Sequence, residues 1–334
     1  MQINYDKRIF GLDLMRAVAI LLVVFSQSED FSFKNVSYFW VRRWFRTLPN
    51  YYLALMLNIG IAIYIGIKLP EALWQYVFFI QNFAWETPSL FIESWSLSIE
   101  EFAYIIGPLL LYCTLFIKTK LSKDKLFLYI TLLIIMLFTI TKLIYSLNDH
   151  TRSMVYWNAN LKAVVIYRID AIYFGVFAAF ISIVRPNFWK HIKYLAFFLG
   201  AVIFLGLNAI IPIKRLFIES YPMFWNVWYL PINTIAIMLT LPLFSQINSA
   251  TKLILKPITY ISLISYAMYV LHYSIILQLL KYYLPSDDLP KFDSIIYIIV
   301  YLSMTIFLSY LVYRFYEKPM TDLRDSSVIK NKFK

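Results

Sequence analysis

Long apolar stretches separated by short polar segments make up most of the chain. Apolar runs long enough to cross a membrane lie at residues 12–27, 50–67, 99–117, 126–147, 161–184, 194–212, 223–244, 258–281 and 294–316. A tenth run, 74–83, has only about ten residues, too few to cross roughly 30 Å of hydrocarbon as a helix. The pattern therefore predicts an all-α, polytopic transmembrane helix bundle with about nine spans and one re-entrant or interfacial segment.

The tenth apolar run leads into a polar stretch, residues 84–98. Lipid tolerates irregular backbone only where protein or a water-filled cavity surrounds it, so we expect this stretch to line an internal cavity. The chain contains no sequence repeat and no low-complexity tract. We therefore predict a single membrane domain over residues 1–320, followed by a basic cytoplasmic tail over residues 321–334.

Composition supports the membrane class. Hydrophobic residues make up 61% of the chain and charged residues 15%, whereas charged residues form about a quarter of a soluble domain. The net charge of +12 comes from lysines and arginines in short loops, which is typical of cytoplasmic loops that face anionic lipid. We therefore expect membrane lipids as partners and no nucleic acid. The single cysteine, Cys113, excludes an intrachain disulfide and a multi-thiolate metal site.

The basic loops also predict the topology. From residue 34 onward, eight spans alternate so that every basic cluster and the C-terminus lie in the cytoplasm. The segment before residue 34 does not fit, because Lys7 and Arg8 also favour the cytoplasm and one span cannot join two cytoplasmic segments. The residues between Gln27 and Lys34 are too few for a return helix. The pattern therefore predicts either an inverted or shallow first helix, or a span that is absent from the sequence.

The first apolar run carries two polar side chains on one face. Gln27 lies eleven positions after Arg16. On an α-helix, this separation brings the two side chains to within about 20° of the same direction and roughly 16 Å apart along the helix axis. A charged arginine inside the hydrocarbon core is energetically unfavourable and usually has a functional role, so we predict that both side chains face an interior site. The run has no small-residue cleavage site after it, and we interpret it as a retained helix rather than a signal peptide.

Five motifs in a fixed order resemble those of one enzyme family. They are GLDLMRAVAI at 11–20, RRWFRTLP at 42–49, SWSLSIE at 94–100, SYAMYVLH at 265–272 and YEKP at 316–319. Together they resemble the acyltransferase-3 family of integral-membrane O-acyltransferases over nearly the whole chain. Two features depart from the family. Gln27 replaces the histidine of its Arg-x10-His motif, and its second span, expected between Asp30 and Phe33, is missing.

The resemblance implies the transfer of an acyl group, usually acetyl, from cytoplasmic acyl-CoA to a hydroxyl of a cell-surface or lipid-linked carbohydrate. Acyl-CoA is then a cosubstrate, and neither a permanently bound cofactor nor a metal is expected. The resemblance also implies a multi-pass protein of the bacterial cytoplasmic membrane whose C-terminus is cytoplasmic.

Three arginines are the candidates for holding acyl-CoA. Arg42, Arg43 and Arg46 are predicted at a helix start on the cytoplasmic face, where guanidinium groups suit the phosphates of coenzyme A. Arg43 and Arg46 match the Arg-x-x-Arg motif of the family. Arginines at such a boundary also serve as topology signals and lipid-headgroup anchors, and the residues alone leave that alternative open.

Arg16, Gln27 and Glu100 are the candidates for catalysis. Acyl transfer to a hydroxyl needs a base, and histidine has a suitable pKa, whereas glutamine does not titrate. If no other group fills in, we expect turnover to fall by about 10²- to 10⁴-fold. Arg16 would orient the donor or stabilise charge near the reacting thioester, or it would form a structural ion pair with Asp13. Glu100 would orient a partner or accept a proton, or only interact with the helix dipole.

The SWSLSIE motif supplies candidates for substrate binding. Ser94 and Ser98 lie four positions apart and would share one helix face, where their hydroxyls could reach a glycan or a carbonyl oxygen. Trp95 belongs to the same motif.

Two further residues complete the substrate-binding set. Arg168 is expected, like Asp170, to face the bundle interior because an ionised group in a span avoids lipid. His272 could act as a base in place of the missing histidine, although we favour a helix-packing role with a hydrogen-bonded partner.

Two other function classes stay open. A catalytically silent homologue could bind acyl-CoA or glycan as a scaffold subunit, because Gln27 cannot act as a base. A glycan transporter or flippase is the second alternative, but such proteins commonly contain related halves, and no repeat is visible in this chain.

Overall fold

The protein is an all-α helix bundle, as predicted. The computed structural model describes residues 32–116, 120–148, 153–247, 252–285, 290–324 and 326, and these residues include no strand. Seven of their helices are long and apolar enough to cross a membrane, and Ile169–Val184 is apolar but shorter. These eight helices coincide with the last eight predicted spans. The first predicted span, 12–27, lies outside the described residues, and so do Arg16 and Gln27.

The described α-helices are named here in chain order. They are α1 Phe33–Ile65, α2 Trp74–Val77, α3 Ser94–Cys113, α4 Lys123–Asn148, α5 Met154–Trp157, α6 Ile169–Val184, α7 Pro186–His191, α8 Lys193–Ile213, α9 Leu230–Phe244, α10 Lys252–Leu271, α11 Gln278–Tyr283, α12 Lys291–Val312 and α13 Lys318–Arg324. π-Helical turns at Asn158–Lys162, Phe224–Tyr229, His272–Leu277 and Tyr313–Glu317 continue or precede several of them.

Helix α1 begins earlier than predicted. It has 33 residues and is therefore about 50 Å long, well over the thickness of the hydrocarbon core. Arg42, Arg43 and Arg46 lie inside α1, so the prediction that they mark a helix start is wrong. Hydropathy detects only the length that lipid must cover, whereas α1 continues back through Pro49 into the more polar segment before it. Proline usually marks a helix start or kink, so neither hydropathy nor the proline indicates that the helix extends this far.

Contacts divide the chain into two compact units. The first unit is formed by the described residues within Met1–Val36, Asn82–Glu86 and Ile99–Leu255. The second unit is formed by those within Ser37–Gln81, Thr87–Ser98 and Lys256–Lys334. The single membrane domain over residues 1–320 and the tail over residues 321–334 stay predictions.

The core of the first unit is built from helix pairs and aromatic side chains. Helix α8 packs along α9, and α4 packs along α6. A cluster of buried side chains lies around the segment that precedes α6, and its members are Trp157, Leu161, Ile218, Trp225 and Leu230. The short segment 82–86 is hydrogen-bonded to this same part of the unit, with the Val165 amide donating to the Asn82 carbonyl oxygen at 3.0 Å. Irregular backbone there is therefore satisfied by protein.

In the second unit, the segment after Trp74 is too short to span, as predicted. Helix α2 contains four residues, and the next long helix begins only at Ser94. Side chains of α1 hold this segment: the Tyr51 hydroxyl donates to the Tyr76 carbonyl oxygen at 2.7 Å, and the Tyr51 ring stacks on Phe79 at 4.1 Å between centroids. The segment is thus fixed by protein contacts, while its lining of a cavity stays a prediction.

Two glycines of α8 allow a direct test of the α8–α9 packing. A Cβ atom at Gly200 would lie 2.5 Å from the backbone oxygen of Ala236, whereas a Cβ at Gly206 would meet nothing within 4 Å. Gly200→Ala should therefore lower the free energy of unfolding by about 1–3 kcal/mol through overpacking. Gly206→Ala is the matched control and should be neutral or stabilising by up to about 1 kcal/mol. Thermal unfolding in detergent measures both, and equal effects would contradict the close approach.

Candidate active site

The Arg-x-x-Arg motif lies on α1 of the second unit. Arg43 and Arg46 are half-buried, and the next residue, Thr47, is buried. The Thr47 carbonyl oxygen accepts a hydrogen bond from the Tyr266 hydroxyl at 2.8 Å. Because Tyr266 belongs to the SYAMYVLH motif on α10, this bond joins two of the family-like motifs.

Arg42, the third candidate for acyl-CoA binding, is directed along its own helix. Its Nη1 atom donates to the Tyr38 hydroxyl at 3.1 Å, and its guanidinium lies 5.5 Å from the centroid of the Tyr38 ring. Arg42 is also the one of the three arginines that lies outside the Arg-x-x-Arg motif, which consists of Arg43 and Arg46.

The YEKP motif also contacts α1. The buried Asn50 side chain donates through Nδ2 to Glu317 Oε2 at 2.6 Å, and Glu317 is itself buried. Arg46, one turn earlier on α1, interacts electrostatically with the same carboxylate. A carboxylate removed from water is costly unless it is hydrogen-bonded and near a cation, and both conditions are met here. The second unit therefore joins a third motif to the Arg-x-x-Arg segment.

Ser94 and Ser98 share one face of α3, as predicted. Gln81 Nε2 donates to Ser94 Oγ at 3.1 Å and to Ser98 Oγ at 2.8 Å, and all three residues are fully buried. The Ser94 hydroxyl in turn donates to the Phe91 carbonyl oxygen at 2.6 Å. Trp95 is half-buried at the second position of α3. The role of these residues in binding substrate stays a prediction.

Glu93, directly before this motif, binds the end of α10. Its Oε1 atom accepts hydrogen bonds from the amides of Tyr273 at 3.1 Å and Ser274 at 2.7 Å. The Tyr269 hydroxyl donates to the Glu93 carbonyl oxygen at 2.9 Å and also contacts the Ser96 hydroxyl. A π-helical turn leaves amides without ordinary helical acceptors, and Glu93 supplies an acceptor for two of them.

His272 is the first residue of that π-helical turn. Its Nδ1 atom lies 2.8 Å from the Tyr269 carbonyl oxygen, and its ring is half-buried. A carbonyl oxygen can only accept, so Nδ1 carries a proton and Nε2 is the nitrogen that can accept one. The hydrogen-bonded partner that we expected for this histidine is thus present, while a role as base stays a prediction.

The first unit contains the other predicted polar residues. Asp170 is buried, as expected, and pairs with Lys142, which is fully buried on α4. Arg168 lies directly before α6, because the predicted span 161–184 starts with π-helical and 3-10 turns rather than with α-helix. Glu100 is half-buried on α3. Lys142 was not among the predicted residues, although a lysine within an apolar run was a visible signal.

Gln81 and Glu93, like Lys142, were not selected from the sequence. Each is a polar residue beside or within an apolar segment, and the structure shows both to be buried and hydrogen-bonded. The second unit thus joins four of the five motifs through hydrogen bonds of residues that lie in them or directly beside them. These bonds join Tyr266 to Thr47, Tyr269 to Ser96 and Asn50 to Glu317. The fifth motif, at 11–20, lies outside the described residues, and so does Gln27.

Comparison with known proteins addresses the same motifs independently. A sequence model of the acyltransferase-3 family, described as an acyltransferase domain, matches residues 27–314. No curated protein and no solved structure is matched by the chain. The matched range covers most of the sequence and includes three of the four motifs that meet in the second unit, ending just before the fourth. The chain therefore belongs to the acyltransferase-3 family and is a multi-pass membrane acyltransferase.

Proposed function

We propose that this acyltransferase moves an acyl group, most simply acetyl, from cytoplasmic acyl-CoA to a hydroxyl of a cell-surface or lipid-linked carbohydrate. The observation that supports this proposal is the convergence of four motifs in the second unit through polar contacts that are buried or partly buried. Polar groups are costly in a membrane bundle, and packing alone does not need them. Two of these contacts, those of Thr47 and Asn50, lie within about one turn of Arg46 on α1, an arrangement expected of a site for a charged substrate.

The reaction needs three things from the chain: a donor site, an acceptor site and a base. The acceptor hydroxyl oxygen attacks the thioester carbonyl carbon, an ester C–O bond forms, the C–S bond breaks, and the hydroxyl proton ends on the thiol of coenzyme A. Arg43 and Arg46 bind the phosphates of the donor, because guanidinium groups form bidentate hydrogen bonds with phosphate. A base must then take the proton while the hydroxyl attacks.

His272 is the histidine of the second unit, and its Nε2 atom can take that proton. It stands six residues after Tyr266 on one nearly continuous helical segment, which corresponds to about 9 Å of helix rise. Gln27, at the histidine position of the family, can position a substrate by hydrogen bonding but cannot accept the proton. Basal turnover therefore depends on His272 or on solvent.

Binding of the donor tests the role of the arginines without requiring turnover. For the purified chain in lipid nanodiscs, Arg43→Gln and Arg46→Gln should each weaken binding of radiolabelled acetyl-CoA by about tenfold or more, because each removes a charge-assisted hydrogen bond. Arg314→Gln is the matched control, since Arg314 is exposed in the same unit and bonded to Tyr310. Unchanged affinity in the Arg43 and Arg46 variants would contradict the proposed donor site.

Glycan analysis tests the acceptor. Cells that lack the gene and are complemented with this chain should carry more O-acetyl groups on surface or lipid-linked carbohydrate than cells complemented with the double variant Arg43→Gln/Arg46→Gln. A silent homologue, which Gln27 favours, would bind acetyl-CoA and add no acetate. A transporter would change the amount of surface glycan and leave its acetylation unaltered.

A further inference from the structure

The first unit contains a guanidinium group that forms no ion pair within 4 Å among the described residues. Arg168 is half-buried, and its Nε atom is fully buried without a hydrogen-bond acceptor among the described residues. A cation removed from water normally acquires a hydrogen-bonded anionic partner, because desolvation is otherwise uncompensated.

The charges coupled to Arg168 leave an excess of positive charge. Among the described residues, Arg168 interacts electrostatically with Asp170 and with Lys142, so these two cations share one carboxylate. Arg168 also interacts electrostatically with Lys162. Asp170 already binds Lys142 through Oδ2. Lys162 is half-buried. An anion placed beside Arg168 would therefore be attracted by more than one cation and would complete an incomplete set of interactions.

Further buried polar atoms in the same segment lack acceptors or donors. Trp157 Nε1 and Asp170 Oδ1 are buried and make no hydrogen bond to another described residue. Trp157 belongs to the aromatic cluster against which Tyr167, the neighbour of Arg168, packs. Buried polar groups without a partner are uncommon in native structures, and a functional role in binding is one explanation for them. The Arg168 guanidinium can bind an oxyanion, and the Asp170 carboxylate oxygen beside it can accept a hydrogen bond from a hydroxyl.

The predicted topology separates this cluster from the donor. By the distribution of basic loops, α4 ends and α6 begins at the extracytoplasmic face, whereas coenzyme A approaches from the cytoplasm. On this topology, we expect an anion that binds Arg168 to arrive from the extracytoplasmic face, where coenzyme A is not present.

We propose that Arg168, assisted by Lys162 and the Lys142–Asp170 pair, binds an oxyanion of the carbohydrate acceptor, either the phosphate of a lipid-linked sugar or the carboxylate of an acidic sugar. This inference rests on the proposed function, because it names the chemical class of its acceptor. It assigns to the first unit the recognition of acceptor charge.

Binding of small sugars tests the proposal without catalysis. The full chain in phosphatidylcholine nanodiscs is titrated with glucose, glucuronic acid and glucose 1-phosphate, and tryptophan fluorescence reports binding. The chain should prefer at least one anionic sugar over glucose by about tenfold or more, the usual effect of a charge-assisted hydrogen bond. A preference for glucuronic acid identifies a carboxylate, and a preference for glucose 1-phosphate identifies a phosphate.

Variants of the two arginines at the ends of α6 test the role of Arg168 and provide a matched control. Arg168→Gln should abolish the preference, and Arg168→Lys should reduce it because an ammonium lacks the bidentate fork. Arg185→Gln should retain it, since Arg185 lies at the other end of α6. If Arg168→Gln does not fold, Arg168→Lys decides the result.

Two results would overturn the inference: equal affinity for glucose and both anionic sugars, or an unchanged preference in the Arg168 variants. Acetyl-CoA binding is measured on the same samples. A chain that binds acetyl-CoA but shows no anion preference contradicts this inference alone, whereas an anion preference without any acyl transfer contradicts the proposed function alone.

Discussion

Gln27→His is expected to raise the turnover of acyl transfer by about 10²- to 10⁴-fold, the usual effect of a positioned general base. Glutamine can donate and accept hydrogen bonds but does not titrate, so it cannot take the proton of the acceptor hydroxyl. Histidine at this position would supply a group whose pKa lies near physiological pH. The measurement is the rate of release of coenzyme A from acetyl-CoA in the presence of acceptor glycan.

Three further variants serve as controls or extensions of this test. Gln27→Asn keeps an amide and should leave turnover unchanged. A chain with Gln27→His and about 20 apolar residues inserted between Asp30 and Phe33 tests whether the absence of the second span that the family resemblance predicts there also limits activity. His272→Asn reports on the alternative base. Two outcomes would show that the assignment of the base to position 27 is wrong. In the first, the parent chain already has rapid turnover and His272→Asn abolishes it. In the second, neither of the two chains that carry Gln27→His has a higher turnover than the parent.

Asp170→Asn should lower the free energy of unfolding by about 3–5 kcal/mol, the usual cost of leaving one partner of a buried ion pair without the other. Asp170 and Lys142 are almost completely shielded from solvent, and the lysine would keep an ammonium group inside the bundle without its carboxylate. Reversible unfolding in mixed micelles, followed by circular dichroism, measures the change.

The chain offers a matched control for this pair. Lys318 and Asp322 are 2.6 Å apart and largely exposed, so Asp322→Asn should cost only about 0–1 kcal/mol. The double variant Lys142→Met/Asp170→Leu removes both buried charges and should recover most of the stability lost in Asp170→Asn. Equal losses for Asp170→Asn and Asp322→Asn would contradict the assignment of a buried, mutually dependent pair.

The spans were predictable because lipid imposes a length and an apolar composition that can be counted along the sequence. The start of α1 was not, since the helix extends from its spanning part back into the segment that contains Arg42. Hydropathy carries no information on that extension. The π-helical turn at His272–Leu277 was equally invisible, although it creates the two amides that Glu93 binds.

The candidate site was also predictable only in part from the sequence. Motif order along the sequence indicated the family and selected Arg43, Arg46 and Ser94 as candidates. It could not indicate that Glu93 binds residues 180 and 181 positions later, or that Asn50 binds Glu317 across 267 positions. Such pairs depend on which helices become neighbours, and hydrophobic periodicity gives a helix an apolar face without naming its partner.

By itself, the sequence determined that this protein is a membrane-spanning helix bundle of the acyltransferase-3 family. Both conclusions follow from local patterns, namely the lengths of apolar runs and the spacing of motif residues. Only the tertiary structure decided which polar residues meet: Gln81 with the two serines, Glu93 with the turn after α10, and Lys142 with Asp170. A buried polar group in a low-dielectric bundle needs a hydrogen-bonding or charged partner, and that partner can lie anywhere along the chain. The sequence alone therefore does not indicate which residues pair.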